Sequence, residues 1–170
     1  MKKIYIAGPD VFEADAKERG ERYKKLCMQY GYEGLFPLDN EIALCGSPNE
    51  VACTIFKANV EMIDACDIVI ANLNPFRGKE SDSGTVWECG YAYAKGKEVY
   101  GYMQNVRNYK ERFSEEETQK EGDRLLDADG KIIEDFGYPL NLMIACSVQK
   151  IVAGSFEDAL KELHVQSSRS

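Results

Sequence analysis

Two carboxylates, Asp82 and Glu88, bracket the start of a helical stretch in the most polar part of this 170-residue chain. The stretch reads Asn74-Pro75-Phe76-Arg77-Gly78-Lys79-Glu80-Ser81-Asp82-Ser83-Gly84-Thr85-Val86-Trp87-Glu88 and follows the apolar run Asp67-Ile68-Val69-Ile70-Ala71-Asn72-Leu73. In an open parallel sheet, ligands bind where loops leave the carboxyl ends of strands. Gly84 permits a tight turn between the two acids. Glu88 is followed by Cys89-Gly90-Tyr91-Ala92, small or apolar neighbours that suggest a partly buried carboxylate. Paired carboxylates suit glycosidic cleavage. One attacks or stabilises the anomeric carbon, and the other protonates the leaving group. A nucleobase can leave once a ring nitrogen is protonated, so this chemistry needs no metal and no organic cofactor. Each acid also has a plain structural use. Glu88 can complement the helix macrodipole, for ~0.3–1 kcal/mol, and Asp82 can serve as a loop or capping residue.

The elements that must position these acids alternate. Lys3-Ile4-Tyr5-Ile6-Ala7-Gly8-Pro9 reads as a strand ending at a Gly-Pro break. Helices are predicted over 13–30, 50–65, 84–95 and 155–163, with strands at 35–38, 67–73, 98–102 and 151–153. The run 67–73 has the continuous apolar character of a strand covered on both faces. Such alternation implies an α/β domain with a parallel sheet and right-handed crossovers. Residues 1–165 are read as one domain, and 166–170 as a polar, frayed tail. Residues 104–135 break the rhythm. They carry Glu115-Glu116-Glu117 and read as an insertion, part helix and part loop, either a solvated excursion or a flap over the site. Asp127-Ala128-Asp129-Gly130 resembles part of a calcium loop. That register would put Leu125 and Phe136 at ligand positions, so the stretch reads as a turn.

Composition narrows the partners. The formal net charge is −8 at pH 7, which repels phosphate backbones and anionic lipid, so nucleic acid and membrane are poor partners. The six cysteines (Cys27, Cys45, Cys53, Cys66, Cys89 and Cys146) form no CxxC pair, and His164 is the one histidine. That pattern lacks the clustering of a zinc site. The cysteines read as reduced, small core residues, which suggests a cytoplasmic setting. Met1-Lys2-Lys3 runs directly into a strand, with no signal-peptide core and no apolar run long enough to span a bilayer.

These motifs, in this order, resemble the nucleoside 2-deoxyribosyltransferase family. Residues 3–9, then 67–71, then Asp82 to Ala92 (D-x-G-T-x-x-E-x-G-x-A, the most specific part), then Asn141-Leu142-Met143 carry the likeness. The resemblance implies a flavodoxin-like, doubly wound, five-stranded parallel sheet in a single domain. It implies transfer of 2-deoxyribose between nucleobases, with 2'-deoxynucleosides and free bases as substrates. Glu88 falls on the nucleophile that forms a covalent 2-deoxyribosyl-enzyme. Asp82 falls on the acid that holds the base and assists its protonation, and Tyr5 on the tyrosine that orients the nucleophile. Asn141 falls on an asparagine that reaches the sugar hydroxyls of a neighbouring subunit's site, with Met143 close by. A homo-oligomer with shared active sites follows from that. Gly8 and Phe12, in the turn after the first strand, join the substrate-binding set.

The chain also departs from the family pattern. Asn59 stands where many members have an aspartate; it can bind the base or sugar but cannot act as an acid. Glu41 stands where some members use glutamine near the base. Arg77 is open to three readings: binding a phosphate, shaping the loop, or forming a surface salt bridge. The rival functions are a 2'-deoxynucleoside 5'-phosphate N-hydrolase and a non-catalytic nucleotide sensor. The former needs cationic or hydroxyl groups around a phosphate, and the latter has no use for a nucleophile.

Overall fold

The computed structural model describes residues 1–40 and 45–168. In chain order the elements are β1 (Lys3–Ala7), α1 (Ala16–Gln29), β2 (Glu33–Leu35), α2 (Pro48–Ala65), β3 (Ile68–Asn72), α3 (Ser83–Ala94) and β4 (Glu98–Met103). They continue with β5 (Thr118–Glu121), β6 (Arg124–Asp127), α4 (Leu142–Ala145), β7 (Lys150–Ala153) and α5 (Phe156–Ser167). Five strands form one parallel sheet in the order β2-β1-β3-β4-β7. This is the flavodoxin-like order, in which the chain reverses its direction of travel across the sheet at β1 and β3 and leaves a crevice there.

Strand alternation divides the core. Ile4 and Ile6, Ile68 and Ile70, and Tyr100 and Tyr102 pack with Leu160 and Leu163 on the α1/α5 face. Tyr5 and Ala7, Val69 and Ala71, and Val99 and Met103 pack with Ile63, Cys89 and Ala92 on the α2/α3 face. Successive strand side chains point to opposite faces. Tyr5 is therefore committed to the side where α3 lies, and it is fully buried there. Burial on both faces is why β1, β3 and β4 read as unbroken apolar runs.

Local chemistry sets the helix starts. Ser47 and Glu50 form a capping box, with Pro48 in the first turn, so α2 begins two residues before the predicted start. Asp82 caps α3 by accepting from Thr85 N. Ser155 and Asp158 box the start of α5.

Several expectations are corrected. The second strand lies at Glu33–Leu35, because Pro37 opens a 3-10 turn over Pro37–Asp39. Phe36 instead turns inward against α1. A Cβ on Gly20 would lie 2.4 Å from its ring, so only glycine fits there. Within 104–135 no α-helix forms. The segment has two 3-10 turns, Tyr109–Arg112 and Glu115–Glu117, and the antiparallel hairpin β5–β6. Gly122, at φ +60°, supplies the left-handed residue that its two-residue turn requires. Residues 127–130 do form a turn, with Asp127 Oδ1 accepting from Asp129 N and Lys131 N. Helix α5 runs to Ser167, through part of the stretch read as a tail. Tyr100 Oη donates to Gln166 Oε1 at 2.8 Å, and Tyr32 Oη to Ser167 Oγ at 3.2 Å. The cysteines are all free thiols, but only Cys27, Cys66 and Cys89 are buried; Cys45, Cys53 and Cys146 are exposed. No helix among the described residues is long and apolar enough to cross a membrane.

Candidate active site

The site gathers where β1 and β3 end and α3 begins. Tyr5 Oη donates to Glu88 Oε1 at 2.6 Å. Glu88 lies in the second turn of α3 and is partly buried. It lines a pocket of about 350 Å³ with Phe56, Asn59, Gly84 and Trp87. Gly84, Trp87 and Glu88 follow i, i+3, i+4 spacing and so share one face of α3. The aromatic wall is continuous. Phe56 meets Trp87 edge-on with ring centroids 5.3 Å apart, and Trp87 stacks on Tyr91 at 5.2 Å.

Burial raises the Glu88 carboxyl from its ordinary 4.5 to about 7. The nearby Asp82 charge adds to the rise, and the Tyr5 hydrogen bond opposes it. Tyr5 is itself held far above the ordinary phenol range by burial first and by Glu88 second, so its hydroxyl stays protonated as a donor. The neighbouring Cys89 thiol is pushed up to about 12 by burial, with Glu88 adding, and is an inert core group. Asp82 Oδ2 accepts from Thr85 N and from Thr85 Oγ1, both at 2.9 Å. Both bonds use the same oxygen, so capping engages Oδ2 and not Oδ1.

Asn59 Oδ1 is buried on the pocket wall without a hydrogen-bond partner among the described residues. A buried acceptor left unpaired is costly unless something else supplies a donor. In a binding pocket, that donor can come from the ligand.

The other predicted site residues lie elsewhere. Phe12 stacks on Phe76 with centroids 5.4 Å apart, and the Arg77 guanidinium sits 5.2 Å and 4.7 Å from the two ring centroids. Arg77 has φ +51° and forms no ion pair among the described residues; its guanidinium rests on the two rings. Gly8 is needed for close packing. A Cβ there would lie 2.8 Å from Asn72 Cβ and 2.7 Å from Asp10 Oδ2. Asn141 is not in the Glu88 pocket of its own chain. It caps α4, with Oδ1 accepting from Met143 N at 3.0 Å and Nδ2 donating to Glu134 Oε1 at 2.7 Å. Met143 is 73% exposed and borders an apolar groove with Val86, Gly90 and Tyr93, on the opposite face of α3. Glu41 lies outside the described residues.

Sequence reasoning missed a buried polar cluster behind the site. Asp10 is 5% exposed. Its Oδ1 accepts from Arg19 and Tyr23, and its Oδ2 accepts from Asn72 Nδ2 at 2.8 Å. This ties the turn after β1 to the end of β3. Its one sequence signal was an acid directly after a strand's Gly-Pro break. Phe56 was also missed; its signal was helical i, i+3 spacing from Asn59. Among the described residues, no cluster of His, Cys, Asp and Glu is arranged to hold a metal ion.

A doubly wound sheet with a tyrosine-bonded carboxylate in the wall of an apolar pocket is an α/β architecture of the kind in which small organic ligands are commonly held. Residues 4–143 match the family model described as nucleoside 2-deoxyribosyltransferase. An uncharacterized protein of Schizosaccharomyces pombe is 31% identical over 155 residues, 82% of this chain and 74% of that protein. The 2-deoxyribosyltransferase of Leishmania mexicana is 33% identical, with a TM-score of 0.75 over 97% of this chain and 98% of that one. A CMP N-glycosidase of Clostridium botulinum shares the fold at 20% identity and a TM-score of 0.50, over 96% and 99% of the two chains. The chain belongs to the nucleoside 2-deoxyribosyltransferase family. Nucleosides and nucleobases are the substrates this membership implies.

Proposed function

We propose that this protein transfers 2-deoxyribose between nucleobases through a covalent intermediate on Glu88. The observation that carries this reading is the 2.6 Å hydrogen bond from Tyr5 to a Glu88 carboxylate set in the pocket wall. Glu88 attacks C1' while Asp82 assists departure of the base, and the sugar becomes esterified to the Glu88 carboxylate. An incoming base then attacks the same carbon and releases the carboxylate. Two displacements retain the anomeric configuration and give ping-pong kinetics. Water can replace the incoming base, so slow hydrolysis accompanies transfer. A 2'-hydroxyl disfavours the oxocarbenium-like transition state, so 2'-deoxynucleosides are the preferred donors.

Asn59 binds the base or the sugar. Phe12, Gly8 and Arg77 shape the approach to the pocket. Asn141 and Met143, placed away from their own chain's Glu88, serve the site of a neighbouring subunit in a homo-oligomer. Six free thiols fit a cytoplasmic enzyme of nucleotide salvage.

The test is a chromatographic assay with 2'-deoxyinosine or thymidine, with and without free adenine. The proposal expects 2'-deoxyadenosine when adenine is added. Release of free base alone, faster from a 5'-monophosphate, would make the protein an N-hydrolase. Binding without turnover would make it a sensor.

A further inference from the structure

We propose that Arg112 is a positioning residue for the loop that carries Asp82, and that residues 104–139 brace the site instead of closing over it. The inference rests on the role given to Asp82 above.

The loop over 74–82 folds back on itself. Pro75 and Ser81 form an isolated antiparallel bridge, Phe76 N donates to Glu80 O at 2.8 Å, and Ser81 Oγ donates to Leu73 O at 2.7 Å. Its outer flank is held by the segment that leaves β4. Arg112 Nη1 donates to Lys79 O at 2.5 Å, and Arg112 Nη2 donates to Pro139 O. Lys79 Nζ returns a hydrogen bond to Arg112 O at 2.8 Å, pairs with Glu117 at 3.0 Å and sits 4.8 Å from the Phe113 ring centroid. Tyr109 Oη donates to the Glu80 carboxylate.

Arg112 is partly buried, lies 5.5 Å from the Tyr109 ring centroid and makes no ion pair among the described residues. Its guanidinium donates to two backbone carbonyls from two separate segments. A planar guanidinium fork can join such a pair of acceptors; an ammonium, a compact point charge, lacks that fixed fork. Pro139, one of the two acceptors, lies two residues before Asn141, and Glu134 in the same segment holds Asn141 Nδ2 at 2.7 Å and Leu142 N at 2.9 Å. Two sets of hydrogen bonds, joined by the short backbone from Pro139 to Asn141, thus run from the flank of the Asp82 loop to the turn that presents Asn141. A lid would be free to leave this loop, whereas this segment is fastened to it through side chains at 79, 80, 109, 112 and 117.

The test compares Arg112→Met, which keeps the packing on Tyr109, with Arg112→Lys, which keeps the charge and loses the fork. Steady-state kinetics of the full chain are read beside amide hydrogen exchange. We expect Arg112→Met to lower kcat by about tenfold to a hundredfold, the scale of misplacing a reacting group by about 1 Å, with KM changing much less. Arg112→Lys should lose kcat in the same direction and keeps the test open if the Met variant does not fold. Exchange should rise over 76–82 and 139–142 and stay unchanged in β1 and β3. Combined with Asp82→Asn, Arg112→Met should cost little more than Asp82→Asn alone. Wild-type kcat in folded Arg112→Met, full additivity with Asp82→Asn, or unchanged exchange in the loop would each overturn the inference. If Asp82→Asn itself left kcat intact, the assignment of Asp82 would fall, and the exchange arm would still decide whether Arg112 braces the loop.

Discussion

The Tyr5 hydroxyl and the Glu88 carboxylate meet at 2.6 Å, although they are 83 residues apart in the chain. Tyr5 reaches the α3 side because β1 alternates, and Glu88 faces it from the second turn of a helix capped by Asp82. In the proposed reaction neither residue acts alone. The carboxylate raised by burial needs a donor that fixes its orientation and favours its ionised form.

This pairing sets the pH dependence. Glu88 must be ionised to attack, so kcat/KM should fall as pH drops through about 7. The Tyr5 hydrogen bond favours the carboxylate, so Tyr5→Phe should move this acid limb to higher pH and lower the plateau. An acid limb that stays in place in Tyr5→Phe would show that the hydroxyl does not tune Glu88.

The same shift makes a prediction for stability. The Glu88 pKa is raised in the folded protein from its ordinary 4.5 to about 7. The neutral form's contribution is therefore complete below 4.5 and lost as pH rises through 7. Glu88→Gln keeps an acceptor for Tyr5 and cannot ionise. It should raise stability at alkaline pH by on the order of 2–3 kcal/mol and change it little in acid. Thermal melts across pH read this directly, and a difference that did not grow with pH would contradict it.

The α3 cap that Asp82 forms and the acid role proposed for it are separable. Asp82→Ser keeps a side-chain cap for α3 and removes the acid, so the melting temperature should hold while activity falls. Asp82→Ala removes both and should cost about 1 kcal/mol of stability besides. Equal activity in Asp82→Ser and the unchanged protein would reduce Asp82 to a capping residue.

Asn59 can be tested by adding the charge it lacks. Asn59→Asp places a second carboxylate in the Glu88 pocket. Like charges oppose joint ionisation, so the acid limb of kcat/KM should move to higher pH. An unmoved limb would mean that residue 59 does not face the reacting carboxylate.

The proposal that subunits share a site has a mixing test. Glu88→Ala and Asn141→Ala should each be nearly inactive. Mixed and reassembled, they should regain activity, because some sites would then draw Glu88 from one subunit and Asn141 from another. No recovery in a mixture shown to exchange subunits would remove Asn141 from the neighbouring site.

Much of this architecture was legible in the sequence. β1, β3 and β4 are covered on both faces, so their apolar runs are unbroken, and the polar stretch after β3 leads into the helix that carries Glu88 of the candidate site. What stayed hidden depended on distant partners. Thr118-Gln119-Lys120-Glu121 pairs as a strand with almost no apolar alternation, so the run of glutamates before it pointed to helix instead. The last turn of α5 exists because Tyr32 and Tyr100 reach it from elsewhere in the fold. Asp10 gave no composition signal, since a buried acid is explained only by the Arg19, Tyr23 and Asn72 donors that surround it. Phe56 and Trp87 looked like ordinary helix residues until α2 and α3 were set side by side.

The most direct measurement is peptide mass spectrometry of the protein quenched during incubation with a 2'-deoxynucleoside and no acceptor. The expected result is a 2-deoxyribosyl group on the peptide that contains Glu88, lost on adding adenine as 2'-deoxyadenosine forms. Turnover that continues in Glu88→Ala, or an adduct mapped to another residue, would contradict the account.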